Sequence, residues 1–181
     1  MITTVRERAD CIATFRFASV FVMETLARWV PTTPELEVKI LLGRHIWEFA
    51  QHADHFGRRT HELRAALHFT REPVPAYAEA LQRLAEADST GDRVDGMYDA
   101  ALPDLASRLR WYRDETDRMV DEPSVRILER VLTDYDRMRQ ECEQMRAEQP
   151  VLPRGRQGWL GELRRALAGV PDIVDYREPR S

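Results

Sequence analysis

Asparagine is absent from this 181-residue chain, lysine occurs once, at Lys39, and cysteine twice, at Cys11 and Cys142. The two cysteines belong to no CxxC or other ligand spacing, which excludes a thiolate metal centre and a disulfide framework. They read as two buried thiols in a reducing, cytoplasmic setting. The missing Asn and the dominance of Arg over Lys reflect codon usage and carry no mechanism. No apolar run approaches the roughly 18 to 20 residues that a membrane-crossing helix needs, and the first ten residues lack the apolar stretch of a secretory leader. Basic residues form no cluster: 27 Lys and Arg are interleaved with 31 Asp and Glu, for a net charge of −4. That balance argues against a nucleic-acid or membrane-surface partner. With only 8 glycines, 43% hydrophobic and 32% charged residues, and no repeat, the composition is that of one helix-rich globular domain.

Helical periodicity accounts for every long segment. From about Thr3 to Val30, one stripe carries Ile12, Phe15, Ser19, Val22, Leu26 and Trp29, and a second carries Phe17, Val20 and Phe21. Glu24 is the lone charge in the apolar run from Phe17 to Ala27, which makes it a candidate interior carboxylate unless it pairs with Arg28 one turn on. Pro31 to Pro34 should close this helix, with Thr33 capping the next and Pro34 at its first position. The second helix is predicted from about Pro34 to Leu67. A crossover helix follows over Ala76 to Ala87, then a turn over Asp88 to Asp92.

The third long helix places Tyr98, Leu102, Leu105, Leu109, Tyr112, Thr116 and Met119 at heptad spacing, with Pro103 kinking it or marking its start. The fourth opens at Asp121 to Ser124 and repeats Val125, Leu128, Leu132, Tyr135, Cys142 and Met145. With almost no loop between them these two should be antiparallel neighbours, so the pattern predicts an all-α four-helix bundle over 1–149. Residues 150–181 should supply a linker, a short helix from Trp159 to Leu167 and an irregular tail, packed on the bundle.

The chemistry is concentrated on the second helix. All five histidines lie between His45 and His68, and His45, Glu48, His52 and His55 follow one another at the spacing of a single helix face. His45 and His52 share the inward stripe with Phe49, Phe56 and Leu63. Glu48 and His55 sit toward its edge, and Arg44, Gln51 and Arg58 turn outward; His61 and His68 fall on the opposite side. Two inward imidazoles walled by Phe49, Phe56, Tyr112 and Tyr135 describe a small-molecule cavity with convergent polar groups. The plainer alternative is a pair of hydrogen-bonded core histidines partnered by Tyr98, Tyr112 or Tyr135.

The stretches Glu37 to Arg59 and Tyr112 to Met138 resemble the ferritin-like proteins related to bacterial diiron carboxylate enzymes, over roughly Arg28 to Met145. The resemblance implies a ferritin-like four-helix bundle with a short crossover helix and a C-terminal helix. It also implies a Glu-x-x-His pair on each of two helices and a Glu on each of the others. Here the second-helix pair would end at His52 but has Phe49 in place of the carboxylate, and the fourth-helix pair falls on Tyr135 and Met138. A complete diiron site is therefore not expected, although iron or another divalent metal on Glu24, His52, His55 and Glu115 is chemically possible.

Three functions follow as expectations. The first is acid–base chemistry by His52, His45 and Glu48 on a largely apolar small molecule, bounded by Phe49, Phe56, Tyr112, Tyr135 and Met138, in a cytoplasmic monomer or homodimer. The second is a metal-dependent oxidase with an atypical ligand set. The third is a non-catalytic helical partner protein whose outer faces do the work.

Overall fold

A computed structural model describes residues 4–176, and every regular element among them is helical. The order is α1 (Val5–Thr32), α2 (Leu36–Glu62), α3 (Pro75–Ala85), α4 (Thr90–Gly96), a π-helical turn (Met97–Ala101), α5 (Leu102–Glu115), α6 (Glu122–Glu148) and α7 (Gln157–Ala168). The expected irregular tail extends past this into 177–181, and the expected start of the first helix at Thr3 precedes it, so those parts lie outside the described residues. No described helix is long and apolar enough to cross a membrane.

Helix α1 starts where a capping box can form. Thr4 Oγ1 accepts from Glu7 N at 3.1 Å while Thr4 N donates to Glu7 at 2.8 Å. Pro31 lies inside the last turn rather than ending the helix. Thr33 does not cap α2: its hydroxyl donates to Trp29 O at 2.8 Å and accepts from the buried Arg93 at 2.9 Å. Glu35 takes the cap position instead, and α2 ends at Glu62, one turn short of the predicted Leu67.

α1 and α2 pack along their lengths as a helical hairpin. α6 lies against α2 and α5, while α7 and α3 pack on each other and on the π turn. The inward residues of each long helix are those expected from periodicity, including Ile12, Phe15 and Leu26 on α1, Phe49 and Phe56 on α2, and Leu128, Tyr135 and Cys142 on α6. Both cysteines are free and buried, and burial pushes each thiol up to about 12, so neither is a nucleophile at neutral pH.

Two features of the third segment depart from the heptad reading. The predicted turn at Asp88 to Asp92 is a helix start: Ser89 accepts from Asp92 N at 3.0 Å, and the chain runs on from Thr90 through the π turn into α5. Pro103 stands in the first turn of α5, as expected of a residue marking its start. It has no N–H to give, and the turn before it is widened, with Leu102 N–H reaching back to Met97 O. The row also stops at Thr116, whose extended backbone ends α5. Met119 and Val120, predicted core and helix end, are 93% and 60% exposed in a connection between Glu115 and Glu122.

Candidate functional site

The inner edge of α2 meets α6 in a polar seam, built by pairing antiparallel helices whose polar residues recur at three- and four-residue steps. Asp134, Arg137 and Glu141 of α6 face His52, Glu48 and His45 of α2. His52 Nε2 lies 3.0 Å from Asp134, His45 Nε2 lies 3.2 Å from Glu141, and Arg137 reaches Glu48 at 2.6 Å, Asp134 at 3.0 Å and Glu141 at 3.1 Å. Arg44 closes one end at 3.2 Å from Glu141. A third element enters through the π turn, whose widened register puts Tyr98 OH 2.6 Å from His45 Nδ1.

The proton positions follow from the partners. A carboxylate only accepts, so Nε2–H of each imidazole donates to its carboxylate and Nδ1 is the remaining ring nitrogen. On His45 that nitrogen accepts from the Tyr98 hydroxyl, so the ring is fully engaged. On His52 it is buried with no partner, as are Glu48 Oε2 and His55 Nε2, one turn away on either side. His52 is wedged edge-on against Phe49 and Tyr135, with ring centroids 5.7 and 5.5 Å away. Met138 is fully buried on α6.

Burial holds His45 below its ordinary pKa, against the pull of Glu141 and Glu48. It does the same to His55, with Arg130 adding to the effect. The hydrogen bond from His52, helped by Arg137, holds the Asp134 carboxyl at about 2. For Glu141 burial acts upward, but hydrogen bonds from His45, Arg137 and Arg44 outweigh it and keep the carboxyl below its usual range.

No family model, curated protein or solved structure matches this chain. What the site can do therefore rests on its own chemistry. Of the residues singled out from sequence, His45, Glu48, His52, Phe49, Tyr135 and Met138 lie on or beside the seam, but Phe56 and Tyr112 do not wall it. Phe56 packs on Phe15, Phe15 packs edge-on against Tyr112, and the Tyr112 hydroxyl is spent on Asp121 at 2.7 Å. Glu24 is exposed on α1 rather than interior, and Arg28 donates to Thr25. Glu115 is exposed at the end of α5, and His55 is half-buried at the seam's edge, so neither shares a ligand shell with Glu24. Among the described residues no group of three or more His, Cys, Asp or Glu is placed to hold a metal ion.

The expected cavity between His45 and His52 is filled by these rings and hydrogen bonds. A groove of about 290 Å³ opens between α2 and α6, bordered by Glu37, Ile40, Leu41, Arg44, Glu141 and Met145. Sequence reasoning missed Asp134, Arg137 and Glu141. Their charge order along α6 was visible, but only the register of the helix pair shows that it complements α2.

A two-stage acid response is expected. The unfolded chain protonates histidine near 6.5 while folded His45 and His55 resist, so their contribution is complete above 6.5 and declines as pH falls below it. Asp134 contributes above its ordinary value of 3.8 and loses this as pH falls through about 2, a total of about 2 kcal/mol. Urea unfolding across pH should show both slopes, with the upper one reduced in His45→Gln. An unchanged upper slope in that variant would mean His45 is not held neutral.

Proposed function

We propose that the chain is a ferritin-like four-helix bundle in which the α2–α6 seam performs acid–base chemistry on a small, largely apolar molecule, with the Arg137 guanidinium as the resident cation among its carboxylates. One observation carries this reading: Glu48 Oε2, His52 Nδ1 and His55 Nε2, on residues at successive turns of one edge of α2, are buried without partners. Buried polar atoms are nearly always paired, so a run of three unpaired ones has the form of a recognition surface for a molecule or water that completes them. Asp134 holds His52 in the tautomer whose free nitrogen is the base, the role a carboxylate plays behind a catalytic imidazole. His45, expected as the second member of an acid–base pair, uses both nitrogens on Tyr98 and Glu141 and serves instead to position Glu141. Entry is from the groove beside Glu141, across Arg137, whose side chain is partly exposed.

The metal-dependent alternative needs a divalent ion to displace Arg137 from Glu48, Asp134 and Glu141. It is tested by titrating the parent protein with Co²⁺ and following the visible absorption of imidazole-bound cobalt. The acid–base reading is tested with His52→Phe. That variant keeps the ring contacts and leaves Asp134 with Arg137 but removes the donor that does most to hold its carboxyl down, so it should lose no more than about 2 kcal/mol of stability. A ligand-observed NMR screen of small aromatic and aliphatic alcohols, amines and acids should find binders to the parent that fail to bind His52→Phe, and long-range ¹H–¹⁵N spectra should show His52 protonated on Nε2 alone. Binders that persist in the variant, or a marked loss of stability with no binder found for the parent, would make His52 a scaffold residue and remove the reading.

A further inference from the structure

α2 is apolar on two opposite faces. Its inner face, through Val38, Leu42, His45, Phe49, His52 and Phe56, is buried. On the outer face Leu36, Ile40, Gly43 and Trp47 follow at steps of four, three and four, the spacing of a coiled-coil seam. Leu36 is 64% exposed, Ile40 53% and Trp47 67%, and a Cβ built on Gly43 would meet nothing within 4 Å. Helix interiors rarely accept glycine without a reason, since it is among the least favourable residues there. A flat spot between large side chains is such a reason when another helix must come close.

We infer that this row is a homodimer interface in which α2 of one copy packs antiparallel on α2 of a second. The row is self-complementary in that arrangement. With the two-fold axis passing between Leu41 and Leu42, Trp47 of one copy stands opposite Leu36 of the other, and Ile40 stands opposite Gly43, so each bulky residue meets a smaller one. In an antiparallel helix pair the same flank of each helix meets its counterpart. The flank that borders α6 carries Glu37 and Arg44, both exposed. Two-fold symmetry therefore sets Glu37 near Arg44 of the other copy twice over, whereas a parallel pair would turn this flank toward the opposite flank of its partner and bring Glu37 and Arg44 no such contact. The charge order favours this orientation of a two-fold pair, Arg44 lying between Glu37 of the other copy and its own chain's Glu141 at 3.2 Å. The inference does not rest on the acid–base reading, although Glu37, Ile40 and Arg44 also border the groove between α2 and α6.

Sedimentation equilibrium from nanomolar to high-micromolar protein tests it. The expected species at high concentration has twice the 21.1 kDa chain mass. Trp47→Glu and Ile40→Glu should each return the mass to 21.1 kDa with an unchanged circular dichroism spectrum, as both side chains are mostly exposed in the single chain. Glu37→Arg alone should weaken the dimer at least tenfold, and Glu37→Arg with Arg44→Glu should restore it, with the dependence on salt expected of ion pairs. The double variant distinguishes the antiparallel pair from any other packing of the same apolar row. A chain that stays at 21.1 kDa throughout the series, a dimer that survives Trp47→Glu, or a charge swap that fails to restore association overturns the inference.

Discussion

Replacing Asp121 with alanine should destabilise the protein by about 3–5 kcal/mol, the largest loss expected from any single truncation of a polar side chain here. Asp121 is fully buried and sits where α2, α5 and α6 converge. Its Oδ1 accepts from Arg59 at 2.9 Å and Ser124 at 2.6 Å, and its Oδ2 accepts from Tyr112 at 2.7 Å and Thr116 at 2.9 Å. Burial pushes the carboxyl upward, but these four donors outweigh it and hold the pKa below the ordinary carboxylate value. Alanine leaves the Arg59 guanidinium, itself almost wholly buried, with Glu62 as its one remaining carboxylate, and it takes the acceptor from three hydroxyls, those of Tyr112, Thr116 and Ser124. Asp121→Asn, which keeps one oxygen acceptor in nearly the same volume, should lose distinctly less. Urea denaturation of the parent and the two variants reads the difference, and equal losses from Ala and Asn would mean that the negative charge alone, and not the shape or the retained acceptor, holds the junction.

Gly91→Val should cost about 1–3 kcal/mol or more and loosen the C-terminal segment ahead of the remaining fold. A Cβ at Gly91 would lie 2.5 Å from Arg154 C and 2.7 Å from Gly155 N, both backbone atoms that cannot swing aside. The close approach lets Asp95 accept from Gly155 N at 2.9 Å and Asp92 accept from Arg156 N at 2.7 Å, which pins the linker between α6 and α7 to the start of α4. A bulky residue at 91 pushes the linker off and takes the seating of Leu160, Leu163 and Leu167 with it. Amide exchange should quicken first over Arg154 to Ala168, with α1 and α2 protected until global unfolding. Uniform loss of protection along the chain would mean that α7 is not a separable unit.

The inward stripes could be read from spacing alone because a helix period of 3.6 leaves few ways to bury Phe49, His52 and Phe56 together. The same reasoning turned Arg44 and Arg58 outward, as they are found. The all-helical class, the buried free cysteines and a C-terminal helix packed on the rest were legible for the same reason: they depend on composition and local periodicity.

The heptad row misled where the backbone changed its state. It carried Met119 into a core it never reaches, because the need to gather Tyr112, Thr116 and Ser124 around Asp121 ends α5 at Glu115. The candidate site was legible on one helix only. That His45 and His52 face inward followed from sequence. That they meet Asp134 and Glu141 depended on the antiparallel register of α2 and α6, which is set by side chains interdigitating along two whole helices and by no local motif. Tyr98 was one of three tyrosines expected to partner a core histidine, and the π turn ahead of Pro103 decided that it is the one that reaches His45. Sequence by itself determined which residues are withdrawn from water; tertiary structure decided which of them touch, because partner choice between helices is a property of their mutual register and not of either helix alone.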